Sequence, residues 1–314
     1  MTSNRKIGVI GCGFVGSACA FSLMQSGLYT DIVLLDVDKD RAEGEAMDIS
    51  HGIPLATPMH IYAGTYEDIA DCGILLITAG ANQKPDETRL DLVQKNVSIY
   101  QSIIPDIVRV GFDGILLVVS NPVDILTYVT WKLSGLPSNQ VLGSGTVLDT
   151  ARLKAALGKH LQVDSRSVHA FIIGEHGDSE FAAWSSANIS GVDLDHFCEF
   201  CGHNHYMTIK DLMEEKVRNS AYEIIEKKKA TFYGIAMSVR RICECIVRNE
   251  RSILSVSSVL NGEYGLSGLA LSIPTIVGNS GVEHHIPVEL NDEEQRQLKH
   301  SADALRKVIG TLSL

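Results

Sequence analysis

The first half of the chain alternates short, continuously apolar runs with longer stretches of helical periodicity. The apolar runs are Lys6–Ile10, Ile32–Leu35, Gly73–Thr78, Ile115–Ser120 and Val141–Gly143. Runs without polar alternation are what parallel strands buried on both faces require. Between them, Leu90, Val93, Val97, Tyr100, Ile104 and Ile107 keep a spacing of three and four and would line one face of a helix. Strand–helix alternation of this kind predicts an α/β fold built on a doubly wound parallel sheet. Past residue 145 the texture changes. A helix over Val147–Lys159 leads to a strand over Ser167–Ile173, then to helices over roughly Thr208–Lys228 and Thr231–Arg248. Ser252–Leu260 and Gly268–Ile276 read as antiparallel strands. Asn291 with Glu294 three residues on is a capping-box pattern, opening a last helix that runs to Gly310. The predicted organisation is a doubly wound domain over residues 1–144 and an α+β domain over residues 145–314.

Composition narrows the class. The chain has 314 residues, 45% of them hydrophobic, enough for a substantial core. A formal net charge of −11 with no dense basic stretch argues against a nucleic-acid partner. The short run Lys227-Lys228-Lys229 reads as the solvated end of a helix. No segment resembles a signal peptide or a membrane span, and seven scattered cysteines do not suggest a disulfide framework, so a reducing cytoplasm is expected. Cys198, Cys201, His203 and His205 fall close together, but their spacing is not that of a structural zinc site, and no metal is expected. Cys243 and Cys245 read as packing residues. Cys12 falls at a helix start, where a thiol can ionise more easily, and is expected to be open to modification.

Gly11-Cys12-Gly13-Phe14-Val15-Gly16 follows the first strand and opens a helix, the context that a dinucleotide fingerprint needs. The first glycine permits the tight turn, the second lets the backbone approach a pyrophosphate, and the third allows close helix–strand packing. Free amides at the helix start face the phosphates. Asp36 ends the second strand, twenty residues beyond Gly16, where a carboxylate accepts bonds from ribose hydroxyls and repels a 2′-phosphate. The first domain is therefore expected to be a Rossmann domain that takes NAD rather than NADP. Thr78-Ala79-Gly80 and Ser120-Asn121-Pro122 fall at the carboxyl ends of two further strands, where ligands bind in open sheets.

Three segments carry candidate chemistry. Gly174-Glu175-His176-Gly177-Asp178 places a histidine in a glycine-flanked turn, and histidine is the side chain best suited to acid–base work near neutral pH. Asp149 and Arg152 stand three apart on one helix face. Arg89 ends a polar loop and begins the long helix. With Ala230-Thr231-Phe232-Tyr233-Gly234-Ile235-Ala236, these segments give the whole chain a close resemblance to the L-lactate and malate dehydrogenase family, nearest its bacterial lactate dehydrogenases.

The resemblance implies a reversible hydride transfer between NADH and pyruvate, giving L-lactate. It gives His176 the role of proton donor and acceptor, Asp149 that of its partner, and Arg152 that of a clamp on the substrate carboxylate. It makes Arg89 the group that polarises the carbonyl after loop closure. Asn121 and Thr231 become contacts around substrate and nicotinamide, and Ile235 an apolar wall behind the ring. Gln83 stands where the malate enzymes carry an arginine. A neutral amide cannot neutralise a second carboxylate, and Asp86 and Glu87 add like charge, so pyruvate is expected over oxaloacetate. Malate dehydrogenase is the competing activity, and a dinucleotide-binding sensor without turnover is the competing class. The resemblance also implies a homotetramer. Many such bacterial enzymes are activated by fructose 1,6-bisphosphate, held by an arginine and a histidine; the matching positions here are Lys154 and His169. The histidine agrees and the lysine does not, which predicts weak activation at most.

Overall fold

The structure, a computed structural model, describes residues 3–81, 89–200 and 206–314, without the side chains of Arg89 and residues 206–209. Gln83 and the cluster members Cys201, His203 and His205 thus lie outside the described residues. In chain order the first half holds β1 (Ser3–Ile10), α1 (Phe14–Ser26), β2 (Asp31–Leu35), α2 (Lys39–Ser50), β3 (His60–Ala63), β4 (Cys72–Ile77), α3 (Arg89–Arg109), β5 (Ile115–Val118), α4 (Val123–Ser134) and β6 (Val141–Gly143). The second half begins with α5 (Val147–Leu161), β7 (Val168–His169), β8 (Ile172–Ile173), β9 (Phe181–Ala182), β10 (Asn188–Ile189), β11 (Val192–Asp193), α6 (Leu194–Phe200) and α7 (Tyr206–Lys228). It ends with α8 (Tyr233–Arg248), β12 (Ser252–Leu254), β13 (Ser257–Asn261), β14 (Ser267–Ser272), β15 (Thr275–Gly278), β16 (Gly281–His285) and α9 (Asp292–Ile309).

The main sheet has eight strands in the order β14-β13-β6-β5-β4-β1-β2-β3. Its six first-half strands are parallel, and β13 and β14 extend it antiparallel from the β6 edge. Alternate residues of β4 face opposite layers: Leu75 and Ile77 pack with α3, α4 and α9, and Ile74 and Leu76 with α1, α2 and α8. Both faces are covered, which is why these strands read as unbroken apolar runs. A third cluster under α5, α6 and α7 is built on Leu153, Leu157, Ile189, Leu194 and Val217.

Three expected strands divide. Ser252–Leu260 is two strands in different sheets, β12 and β13. At the break, the Ser255 carbonyl accepts both the N–H and the hydroxyl of Thr146. Gly268–Ile276 likewise splits into β14 and β15 at Ile273-Pro274, and a proline cannot donate to a ladder. Ser167–Ile173 becomes β7 and β8, again in separate sheets. The eighth helix starts at Tyr233 rather than Thr231. The edge strand β3 was not expected: after His60 it offers only three apolar residues, none of them fully buried. The Asn291–Glu294 capping box is formed in both directions.

Candidate active site

At the glycine turn the three glycines answer to three different constraints. Gly11 has φ +101°, a conformation L side chains rarely adopt. A Cβ on Gly16 would lie 1.9 Å from the Gly11 carbonyl oxygen, so α1 rests against the turn only because that atom is missing. A Cβ on Gly13 would meet nothing within 4 Å. No neighbouring atom excludes a side chain there, so packing does not account for that glycine, which caps the N-terminus of α1. Thr78 closes the turn from β4, donating its hydroxyl to the Gly11 carbonyl at 2.6 Å. Val15 is half-buried at the start of α1, and Ile235 packs partly buried on α8.

Asp36 accepts the N–H of Cys12 at 2.6 Å through one oxygen and that of Asp38 at 3.0 Å through the other. A carboxylate has four acceptor positions, so two amides orient it and leave capacity for ribose hydroxyls. The expectation about Cys12 is overturned. The thiol is buried, and burial together with the Asp36 charge pushes its pKa up to about 12, which makes it inert. Cys198 is also buried, and Cys243 and Cys245 are both in the core.

Asn96 joins the two other strand-end loops. It is buried on α3, accepts the Ala81 N–H at 2.8 Å and donates to the Asn121 carbonyl at 2.7 Å. The Ser120 hydroxyl donates to the Ala79 carbonyl at 2.6 Å. These bonds hold Ala79, Gly80 and Asn121 beside the glycine turn, and Asn121 and Gly80 are exposed. Arg89 is the first residue of α3 and Thr231 lies just before α8; the Arg89 side chain is outside the description.

Every backbone N–H of the histidine turn from 174 to 177 has a partner. Gly174 donates to the Ser272 carbonyl of β14 and Glu175 to the Ser301 hydroxyl of α9. His176 donates to the Asp124 carboxylate of α4 at 2.8 Å, and Gly177 to the Glu180 carboxylate at 3.4 Å. Gly174 and Gly177 take φ +99° and +143°, so glycine flanks the histidine for conformational reasons. The turn is thereby fixed to three separate elements before its side chain makes any contact.

The His176 ring places Nδ1 2.7 Å from Asp149 Oδ2, and Arg152 donates to Asp149 Oδ1 at 2.8 Å. Asp149 is buried in the first turn of α5. Burial would raise its pKa, but the charges of His176 and Arg152 hold the carboxyl below its ordinary range. Burial alone would favour a neutral His176 ring; Asp149, and after it Glu180, reverse this and raise its pKa well above the ordinary value. Two carboxylates here carried no signal in sequence. Burial pushes the Asp124 pKa up to about 6 despite the Ser257 hydroxyl 2.6 Å away. Glu180 lies with one oxygen 3.6 Å from His176 Nδ1. Asp149, His176 and Glu180 bring donor atoms within 4.8 Å of one another, a spacing a cation could also use. Here, however, Asp149 already spans an imidazole and a guanidinium.

Lys154 is half-buried on α5, two residues beyond Arg152, and burial lowers its pKa. His169 is exposed on β7, against which α5 packs. No helix among the described residues is long and apolar enough to cross a membrane.

Comparison with known proteins agrees over the whole length. Residues 5–143 match the lactate/malate dehydrogenase NAD binding domain and residues 146–313 the family's alpha/beta C-terminal domain. An L-lactate dehydrogenase of Acetivibrio thermocellus is 54% identical, over 99% of this chain and 98% of that one. One of Thermoanaerobacterium saccharolyticum is 53% identical, over 98% and 99%. The minor L-lactate dehydrogenase of Enterococcus mundtii, 43% identical, superposes in its ligands-bound form with a TM-score of 0.96 over 99% of each chain. Its ligands-unbound form, 42% identical by that alignment, gives 0.92 over 100% of this chain and 99% of that one. Matches of this extent across both halves mean that the chain belongs to the lactate/malate dehydrogenase family and is an NAD-dependent oxidoreductase.

Proposed function

We propose that the chain is an NAD-dependent L-lactate dehydrogenase, with His176 as the proton donor and acceptor. The observation that carries the reading is the hydrogen-bonded series Arg152–Asp149–His176, with successive contacts of 2.8 and 2.7 Å. With Nδ1 bonded to Asp149, the ring has one nitrogen, Nε2, left to exchange a proton with a substrate oxygen. NADH, when bound, supplies the hydride that the ketone carbon takes up. As that hydride arrives, His176 gives its proton to the oxygen, and Asp149 stabilises the imidazolium before transfer and orients the neutral ring after it. Arg152 has five N–H donors and spends one on Asp149, so its fork can still hold a carboxylate. Arg89 polarises the carbonyl, Thr231 and Asn121 contact substrate and nicotinamide, and Ile235 backs the ring. Gly11, Gly13, Val15, Gly16, Asp36, Thr78, Ala79 and Gly80 form the cofactor cradle. Gln83 selects pyruvate by leaving a second carboxylate without a cation.

In the same reading the enzyme is a cytoplasmic homotetramer. Exposed apolar side chains on α1 and on the two helices packed against it, Phe21 of α1, Met47 of α2 and Met237 of α8, support a face covered by a second copy. Lys154 and His169 are its weak site for fructose 1,6-bisphosphate. The deciding experiment compares pyruvate, oxaloacetate and longer 2-oxo acids as oxidants of NADH. Pyruvate should have the highest kcat/KM, with L-lactate as product. A higher value for oxaloacetate would make the chain a malate dehydrogenase, and no NADH oxidation with any of them would leave only a dinucleotide-binding protein.

A further inference from the structure

We propose that Glu180 is a positioning residue for this reaction, a second carboxylate that holds the His176 ring in its protonated state. The inference rests on the lactate dehydrogenase reading. Glu180 is 5% exposed, and its Oε2 is 3.6 Å from His176 Nδ1, the nitrogen already bonded to Asp149. Its backbone keeps it there: Arg218 of α7 donates to the Glu180 carbonyl at 3.1 Å, and the side chain accepts the Gly177 N–H.

The charges facing the histidine come from every element around it. Asp149 and Arg152 stand on α5, and Asp124 on α4 meets the backbone N–H. Glu175 and Asp178 stand next to His176 and its glycine in the same turn, Glu175 accepting the Ser179 hydroxyl and Asp178 the Tyr222 hydroxyl. Arg218 approaches from α7 but spends its close contact on a carbonyl and on Glu214. Arg152 pairs with Asp149. Among the described residues, that leaves His176 as the one cationic partner within 4.0 Å of the Glu180 carboxylate.

Asp149, Glu180, Arg152 and an imidazolium sum to zero charge. With a neutral ring the same four groups carry an uncompensated negative charge in a buried place, which is costly. Glu180 therefore favours the charged ring, the form that binds and reduces a 2-oxo acid, over the neutral ring that accepts a proton from a 2-hydroxy acid. An opposite charge at this distance moves a proton affinity by about one pH unit or more. Glu180 thus sets the pH at which the enzyme changes its preferred direction, without touching substrate.

The test is the pH profile of kcat/KM for pyruvate in Glu180→Gln and Glu180→Asp. Glutamine keeps an acceptor for the Gly177 N–H and removes the charge; aspartate keeps the charge on a shorter arm. The fall in kcat/KM with rising pH should move about one unit lower in Glu180→Gln and by less in Glu180→Asp. NADH affinity, and kcat at a pH where the ring is charged in both proteins, should stay within about twofold. A uniform loss of rate with the alkaline limb unmoved would assign Glu180 a purely structural role and overturn the proposal. If Glu180→Gln does not fold, Glu180→Ala, which also removes the charge, decides: an unmoved limb in that protein overturns the proposal.

Discussion

At the scale of single residues, the chemistry was legible where it sits in a local pattern and hidden where it is assembled from afar. His176, Asp149 and Arg152 stand in short segments that sequence alone can single out. Asp124 does not: its partners His176, Ser257 and Ser272 are 52, 133 and 148 residues away. Glu180 lies four residues past His176 with no motif to mark it. Asn96 did leave a trace, as a polar residue in the apolar series Val93, Val97, Tyr100. Replacing His176 with asparagine should lower kcat by roughly two to four orders of magnitude, the usual cost of losing a general acid, and leave NADH binding intact in a fluorescence titration. Asp149→Asn tests the sign of the coupling. In the proposed mechanism pyruvate reduction needs a protonated ring, so kcat/KM is full at low pH and falls as pH rises through the histidine's pKa. Removing the charge that raises this pKa should bring the fall to lower pH; an unmoved limb would detach Asp149 from the ring. Asp124 makes a separate prediction about stability. Its folded pKa, about 6, lies above the ordinary 3.8, so the native state holds a proton that the unfolded chain has released. Stability from this group is full below the lower value and is lost as pH rises through the upper one, by roughly 3 kcal/mol in all. Urea midpoints of wild type should therefore drop relative to Asp124→Asn between pH 4.5 and 7. Parallel pH curves for the two proteins would mean that Asp124 titrates normally.

At the scale of elements, continuous apolar runs gave β1, β2, β4, β5 and β6 because both faces of those strands are covered. The antiparallel strands of the second half were misjudged in extent because the chain changes sheet within each run. The breaks fall at Ser255, whose carbonyl turns to Thr146, and at Pro274, which has no N–H to give a ladder. The edge strand β3 carries the pattern over three residues only, too few to stand out. The glycine turn allows a prediction that separates fold from ligand. Gly16→Ala drives a methyl to 1.9 Å from a backbone oxygen, so α1 must shift and the melting temperature should fall by several degrees, as expected for overpacking of about 1–3 kcal/mol. Gly13→Ala enters open space at a backbone φ of −73°, which alanine accepts. It should change stability by no more than about 1 kcal/mol, the scale of an N-cap substitution. The same methyl would stand where a pyrophosphate approaches, so NADH affinity should fall at least about tenfold. Paired melting and NADH titration of the two variants check this; a Gly13→Ala protein with unchanged NADH affinity would remove the cofactor from that face.

At the scale of the whole molecule, an acidic chain has to bind anions through local cations. The net charge of −11 repels a 2-oxo acid at long range, and in the proposed role Arg152 would work against that field only where water is excluded. The same reasoning bears on regulation. Lys154 is a half-buried cation on the helix that carries Asp149 and Arg152, and its lowered pKa reports that burial disfavours its charge. A phosphate between Lys154 and the exposed His169 would offset that cost and stiffen α5 two residues from Arg152. A lysine meets phosphate as a point charge and lacks the planar fork of arginine, so the coupling should be small. Fructose 1,6-bisphosphate at sub-millimolar concentration is therefore expected to lower the half-saturating pyruvate concentration about fivefold at most, the low end of allosteric coupling. By reciprocity a bound 2-oxo acid analogue such as oxamate should tighten the effector by the same factor, measurable by calorimetry. The double variant Lys154→Ala/His169→Ala should lose both effects and keep the basal rate. An effect that survives the double variant puts the anion on other residues, and a hundredfold effect at micromolar effector would show that a point charge in this setting grips phosphate as well as a fork does.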